Sequence, residues 1–256
     1  MVVTFLGTGT SQGVPVIGVD HPVCRSLDHR DKRLRASIMI ETGDDLALVI
    51  DTGPDFRQQM LREQVQRVDA VLFTHQHKDH TAGLDDIRSF YFKQRQDIPV
   101  YGRAEVLAQI KKEYEYMFAA KKYPGVASVQ INEILNHPFH IGANRIVPVE
   151  VMHHKLPVFG FRIGGFTYIT DANYIAPEEM EKIRGTKILV INALQKDAHI
   201  SHFTLQEALQ VIDELQPERA YLTHISYKLG FHASVSAELP KNVYLAYDGL
   251  KLNIAD

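Results

Sequence analysis

The sequence predicts an α/β chain of the α+β kind, with two packed sheets flanked by helices. Three observations lead there. Short β-branched runs recur along the whole chain, a few amphipathic helices are interleaved with them, and no Pro/Gly/Ser-rich linker divides the 256 residues. Val2–Leu6, Ala36–Glu41, Leu46–Ile50 and Ala70–Phe73 read as the first four strands, with Gly43-Asp44-Asp45 as a tight turn between the second and third. Ile98–Tyr101, Arg145–Met152, Phe159–Ile163, Thr167–Thr170, Ile188–Ile191, Arg219–Thr223 and Val243–Ala246 read as later strands. Gln58–Val65 and Ala104–Ala120 read as helices. Leu205–Leu215 is the clearest helix, because Leu205, Ala208, Leu209, Ile212 and Leu215 share one face. The expectation is one domain over residues 1–256.

Composition narrows the function. Lys and Arg number 28 against 31 Asp and Glu, so the formal net charge is −3 and no general basic footprint for nucleic acid or anionic membrane exists. Apolar residues make up 45%, which excludes a disordered or low-complexity chain. The single Cys excludes an internal disulfide framework and fits a reducing compartment. The N-terminus has neither a basic nor an apolar signal region, and the longest apolar runs are too short to span a bilayer, so a cytoplasmic location is expected. Against that ordinary background, 13 His stand out.

The strongest feature follows the fourth strand, in Thr74-His75-Gln76-His77-Lys78-Asp79-His80. Four metal-competent side chains fall within six residues. His75 and His77 are two apart and share a side of an extended segment, whereas Asp79 and His80 are adjacent and diverge. That division suggests two metal sites. Imidazole and carboxylate ligands suit Zn²⁺ first, with Mn²⁺ or Fe as alternatives. Further donors stand at the ends of later strands: His153, Asp171 and His224. A carboxylate such as Asp171 can bridge two cations about 3.5–4 Å apart.

The run His75-x-His77-x-Asp79-His80 resembles the metal-binding motif of the metallo-β-lactamase superfamily. The resemblance implies a four-layered αββα sandwich and a dinuclear site. Leu6-Gly7-Thr8-Gly9-Thr10-Ser11-Gln12-Gly13-Val14-Pro15 is similar to a narrower branch, which holds tRNA 3′-processing endonucleases and the cyclic-phosphate phosphodiesterase of the carbon–phosphorus lyase pathway. His153-His154-Lys155-Leu156, Thr170-Asp171, Ser201–Leu205, Thr223–Ser226 and Tyr247-Asp248-Gly249 favour the phosphodiesterase. Carried over by position, one ion takes His75, His77 and His153, the other takes Asp79, His80 and His224, and Asp171 bridges. His202, Asp79 and Asp171 are the candidate catalytic residues, with His202 as general acid. Asp51 is expected behind the His75–His80 loop as a hydrogen-bond acceptor.

The reaction so implied is hydrolysis of a small or cyclic phosphodiester by water whose pKa two shared ions lower from 15.7 toward about 7. The alternatives are an RNA endonuclease of the tRNA-processing type and a thioester or lactone hydrolase; a non-enzymatic metal-binding protein fits the seven-residue ligand set poorly. A small-molecule substrate is expected, nucleic acid is less favoured, no membrane is implied, and a homodimer is a family-level expectation. The glycines of Gly7–Gly13 suggest backbone amides open to a phosphate, and Lys155 and Arg88 are candidate phosphate contacts. Relatives of this branch carry a structural zinc in a Cys-rich loop. Here Gly18–Cys24 retains only His21 and Cys24, and Tyr227 stands where those relatives place a further His. Four ligands close such a site, so no structural zinc is expected and Cys24 is read as a small buried side chain. In Ala104–Val126, four Lys interleave with Tyr114, Tyr116, Phe118 and Tyr123, a pattern open to nucleotide contact, packing, a lid or a dimer contact.

Overall fold

The computed structural model describes residues 1–254. Its first sheet has the order β15 (Lys251–Asn253), β1 (Val2–Gly7), β2 (Ser37–Glu41), β3 (Ala47–Ile50), β4 (Ala70–Leu72), β5 (Ile98–Gly102) and β6 (Val129–Glu133). The second has the order β11 (Tyr174–Ile175), β8 (Asn144–His153), β9 (Leu156–Ile163), β10 (Phe166–Tyr168), β12 (Ile188–Asn192), β13 (Arg219–Thr223) and β14 (Val243–Leu245), with β7 (Phe139–Ile141) paired to β8. The helices are α1 (Phe56–Arg62), α2 (Lys78–Thr81), α3 (Arg88–Gln94), α4 (Ala104–Glu113), α5 (Glu115–Phe118), α6 (Pro177–Ile183), α7 (Leu205–Leu215) and α8 (His232–Glu238).

The period-2 geometry of a strand explains the layering. Leu48 and Ile50 of β3, with Ile188 and Val190 of β12, enter one shared core between the sheets. The alternate residue Val49 faces Phe56, Met60, Val106 and Ile110 on the helices outside the first sheet. Leu189 and Ile191 likewise face Met180, Ile183, Ala208 and Ile212 outside the second. Strands covered on both faces read as unbroken apolar runs, and each large side chain fully withdrawn from water contributes about 1.5–3 kcal/mol. The four layers are therefore α, β, β and α, as the resemblance implied.

The strand readings agree with the structure to within a few residues. The elements missing from the sequence reading are short: β6, β7, β11, β15, α2, α3, α6 and α8. The expected helix Ala104–Ala120 is corrected to two pieces, α4 and α5, broken at Tyr114 (φ −114°, ψ 38°). The reason is tertiary. The Tyr114 hydroxyl donates to the Thr81 carbonyl at 2.8 Å, the Tyr116 hydroxyl donates to Asp85 at 2.7 Å, and Lys78 pairs with Glu113 at 2.5 Å. Tyr114 thus braces the end of α2 and Tyr116 the turn that follows it, while Lys121, Lys122 and Tyr123 remain exposed.

The glycine-rich opening also receives a correction. Gly9 N donates to Leu34 O, Thr10 N to Ile225 O and Gly13 N to Thr10 O, so these amides are engaged by backbone carbonyls. Close approach demands the glycine instead: a Cβ on Gly7 would lie 1.9 Å from the Arg35 carbonyl oxygen. Cys24 is buried with Val14 and Val23, against Val19 and Tyr227, and the His21 ring lies 4.9 Å from Tyr227. Among the described residues, no helix is long and apolar enough to cross a membrane.

Candidate metal centre

Parallel β3, β4 and β5 in the first sheet, and parallel β10, β12 and β13 in the second, deliver their C-terminal ends to one common edge. The loop from β4 into α2 carries His75, His77, Asp79 and His80. His153 ends β8, Asp171 follows β10, His224 follows β13 and His202 precedes α7. The Phe159 amide of β9 donates to the Thr74 carbonyl at 3.1 Å, which ties the two sheets together beside this edge.

All seven proposed ligands converge, in two adjoining groups. His75, His77 and His153 form one; Asp79, His80, Asp171 and His224 form the other. In the second group His80 Nε2 lies 3.1 Å from Asp79 Oδ2 and 3.2 Å from Asp171 Oδ2, and His224 Nε2 lies 3.2 Å from Asp171 Oδ1. Asp171 also belongs to a third grouping with His153 and His202, so its carboxylate sits between the two sets. The His202 ring lies 4.6 Å from that of His153 and 4.8 Å from that of His224, and its Nδ1 is 3.8 Å from Asp171 Oδ1.

Three imidazoles give their Nδ1 protons to protein oxygens. His80 Nδ1 donates to Asp51 Oδ2 at 2.7 Å, and His153 Nδ1 donates to the Ser201 carbonyl at 2.9 Å. The Thr74 hydroxyl donates to Asp51 Oδ2 at 2.8 Å, so the 3.0 Å contact with His75 Nδ1 is a bond that His75 donates. Each ring thus leaves its Nε2 for the interior of the cluster, the orientation that metal-binding histidines take when a protein oxygen holds the opposite nitrogen. His80 Nε2 and both His224 nitrogens are buried without a hydrogen-bond partner, a costly arrangement in a protein interior unless a cation satisfies it. The electrostatics agree. Burial opposes charge on His80, yet Asp79, Asp171 and Asp51 together hold its pKa well above the usual histidine value. Burial likewise opposes ionisation of Asp171, yet His224 and His80 hold it well below the usual carboxylate range. The residues fit a cationic occupant.

Backbone strain concentrates at the same edge. Asp51, His154, Asp171 and His224 all adopt left-handed φ, between 53° and 65°, a conformation that costs a non-glycine residue about 1–3 kcal/mol and gathers at functional sites. Asp51 lies behind the loop, as expected, fully buried and accepting from the Thr74 amide as well as from Thr74 Oγ1 and His80. The N-cap of α7 is Thr204, whose hydroxyl accepts from the Glu207 amide and whose amide donates to the Glu207 carboxylate.

Other sequence candidates separate here. Lys155 and His154 are exposed at the tip of the β8–β9 hairpin. Arg88 is exposed on α3 and pairs with Asp85 at 3.6 Å, and nothing directs it to the metal groups. The exposed His199 lies 5.1 Å from His202, ring to ring. Sequence reasoning missed Thr74, Asn173 and Asn192, which orient backbone and ligands, and Gly53 and Gly83, which admit the loop. A Cβ on Gly53 would meet the Asp79 carbonyl oxygen at 2.1 Å, and one on Gly83 would meet the Gly53 carbonyl oxygen at 2.1 Å. The only sequence signal for the glycines is their position at a strand end and after the histidine run.

Residues 47–225 match the family model of the Beta-lactamase superfamily domain. The chain belongs to this superfamily. It has the fold of that superfamily, with His/Asp groups able to hold a divalent ion. A crystal structure described as a new diphosphatase from the PhnP family superposes on this β-lactamase superfamily chain with a TM-score of 0.93. It is 35% identical, and the match covers 99% of this chain and 98% of that one. A Porphyromonas gingivalis protein named octanoyltransferase is 37% identical over 249 residues, 96% of this chain and 50% of that protein. Ribonuclease Z of Staphylococcus epidermidis is 25% identical over 169 residues, 64% of this chain and 49% of that protein. The chain thus spans about half the length of these two curated relatives.

Proposed function

We propose that this chain is a phosphodiesterase acting on a small or cyclic phosphodiester, with two divalent ions, Zn²⁺ or Mn²⁺, per chain. The observation that carries the reading is the pair of adjoining donor groups with the Asp171 carboxylate between them and His202 alongside. His75, His77 and His153 would hold one ion and Asp79, His80 and His224 the other, with the Asp171 carboxylate placed to serve both. When bound, such ions supply Lewis acidity at phosphoryl oxygens and a water acidic enough to react at neutral pH. The protein's own part is orientation. Asp51, Thr74 and the Ser201 carbonyl fix three imidazoles, and Asp79 and Asp171 set their carboxylates 3.1 and 3.2 Å from His80 Nε2, where they would orient a water. His202 donates a proton to the leaving alkoxide. Burial, and then His224, push its imidazole down to about 3, so it is neutral in the resting site. An anionic phosphate seated beside it supplies the opposite charge that such a ring needs to take up a proton.

A diphosphate ester is the second reading, favoured by the 35% identity to the diphosphatase over nearly the whole chain. The octanoyltransferase name describes a protein twice as long as the matched segment, and an acyl substrate is therefore an arm of the test. The protein is loaded with Zn²⁺ or Mn²⁺ and offered bis(p-nitrophenyl) phosphate, 2′,3′-cyclic nucleotides, diphosphate esters, precursor tRNA and thioesters. Phosphodiester cleavage that chelation abolishes is the expected result. Cleavage of thioesters with phosphodiesters untouched overturns the reading.

A second expected outcome concerns the acid. His202→Ala lowers turnover of alkoxide-leaving phosphodiesters by about 10²–10⁴-fold and spares p-nitrophenolate, which leaves without a proton. Equal losses on both substrates exclude the role.

A further inference from the structure

Asn173 lies two residues after Asp171 and outside both ligand groups, yet its side chain reaches two other loops that converge on the site. Its Oδ1 accepts from the His154 amide at 2.7 Å, and its Nδ2 donates to the Ile200 carbonyl at 3.3 Å. Its own amide donates to the Met152 carbonyl at 2.8 Å. The residues so held flank the chemistry. His154 directly follows His153, with the left-handed φ of 57° that turns the β8–β9 hairpin. Ile200 directly precedes Ser201, whose carbonyl accepts from His153 Nδ1 at 2.9 Å, and Ser201 directly precedes His202.

The loop of residues 195–203 has few other anchors near this point. His199 and Ile200 are exposed, and Ile200 shows 70% of its surface. The nearest backbone anchor toward the helix is Phe203, whose amide donates to the Ala172 carbonyl at 2.7 Å. Ala172 is held in turn by Asn192, through bonds of 2.8 and 2.9 Å in both directions. The chain from Asp171 to Asn173 therefore acts as one rail. Ala172 carries the Phe203 side of the loop, and Asn173 carries the Ile200 side together with the hairpin tip.

We infer that Asn173 is a positioning residue that sets the spacing of His153 and His202, whose rings lie 4.6 Å apart. A carboxamide is the residue type this requires. It presents one acceptor and one donor on a short arm, matching an amide on one loop and a carbonyl on the other. Alanine supplies neither. Aspartate supplies the acceptor for His154 alone and sets a carboxylate against the Ile200 carbonyl, so it releases only the His202 loop. The consequence for catalysis rests on the phosphodiesterase reading. The consequence for ion binding does not, since it needs only the hold of Asn173 Oδ1 on the amide that follows His153.

The test therefore has two independent readouts, applied to wild type, Asn173→Ala and Asn173→Asp, each checked for folding by circular dichroism. The first is ion binding, read from Zn²⁺ competition against a chromophoric chelator and from the visible spectrum of the Co²⁺-loaded protein. Loss of an outer hydrogen-bond partner costs 10–100-fold in metal affinity. Asn173→Ala is expected to weaken one ion about tenfold and shift the Co²⁺ bands, while Asn173→Asp stays near wild type in both. The second is hydrolysis. Both variants are expected to lose kcat with KM nearly unchanged, by about tenfold more for an alkoxide than for a p-nitrophenolate leaving group. Wild-type ion affinity and spectrum in Asn173→Ala overturn the inference. So does an equal loss for both leaving groups in a wild type that cleaves phosphodiesters. A wild type that cleaves none removes the functional reading and leaves the ion-binding readout to decide on Asn173.

Discussion

Asp171→Asn is expected to leave a folded protein that retains one equivalent of metal or less and has lost hydrolysis by about 10³-fold or more. The substitution suits the question because Asn tolerates the left-handed backbone at this position, where φ is 56°, and still accepts from the Thr170 hydroxyl, which donates to Asp171 at 2.7 Å. What it removes is the negative charge between His80 and His224, each 3.2 Å from one carboxylate oxygen. Outer partners of ligands are worth 10–100-fold in affinity, so a carboxylate that itself contacts both ions is worth more. Neutral Asn also weakens the hold on whatever charge develops during reaction. Metal analysis after gel filtration, together with bis(p-nitrophenyl) phosphate turnover, reads both effects. Two retained equivalents with intact hydrolysis would remove Asp171 from the bridge.

Gly53→Ala is expected to be strongly destabilising. The new Cβ lands 2.1 Å from the Asp79 carbonyl oxygen, and the atom in the way is backbone, which has no rotamer to escape into. Overpacking of a dense interior costs about 1–3 kcal/mol, and a contact this short belongs at the upper end. In a chain of this size that corresponds to a melting temperature about 6–12 °C lower. Relief requires the loop of His75–His80 to move outward, which stretches the 2.8 Å bond from the Thr52 amide to the His80 carbonyl. A displacement near 1 Å at reacting groups costs about 10²-fold in rate. Activity measured well below the melting temperature should therefore fall further than stability implies. A wild-type melting curve with full metal binding contradicts the close approach.

The dense histidine run was legible because its chemistry is local: four donors within six residues, after a strand whose unbroken apolar pattern marks it as buried. His153, Asp171 and His224 were legible because each stands where a β-branched run stops. The supports were not. Thr74, Asn173 and Asn192 are ordinary polar residues in sequence, and their roles arise only when separate loops arrive beside them. The same holds for the break at Tyr114, where helical periodicity continues through a residue whose hydroxyl is drawn to the Thr81 carbonyl. The glycine-rich opening misled for the converse reason. Its local pattern fits an anion cradle, yet backbone carbonyls of Leu34, Ile225 and the loop's own Thr10 accept from the amides of Gly9, Thr10 and Gly13.

The assigned ligands come from both sides of the sandwich. His75, His77, Asp79 and His80 leave the first sheet, while His153, Asp171 and His224 leave the second. Neither half of the chain can complete a coordination sphere alone. On the proposed ligand assignment, ion uptake would require both sheets to be docked: a molecule whose sheets met out of register would present four donors from the first sheet without Asp171. Any hydrolysis would then wait on β10 and β13 reaching their places beside β12.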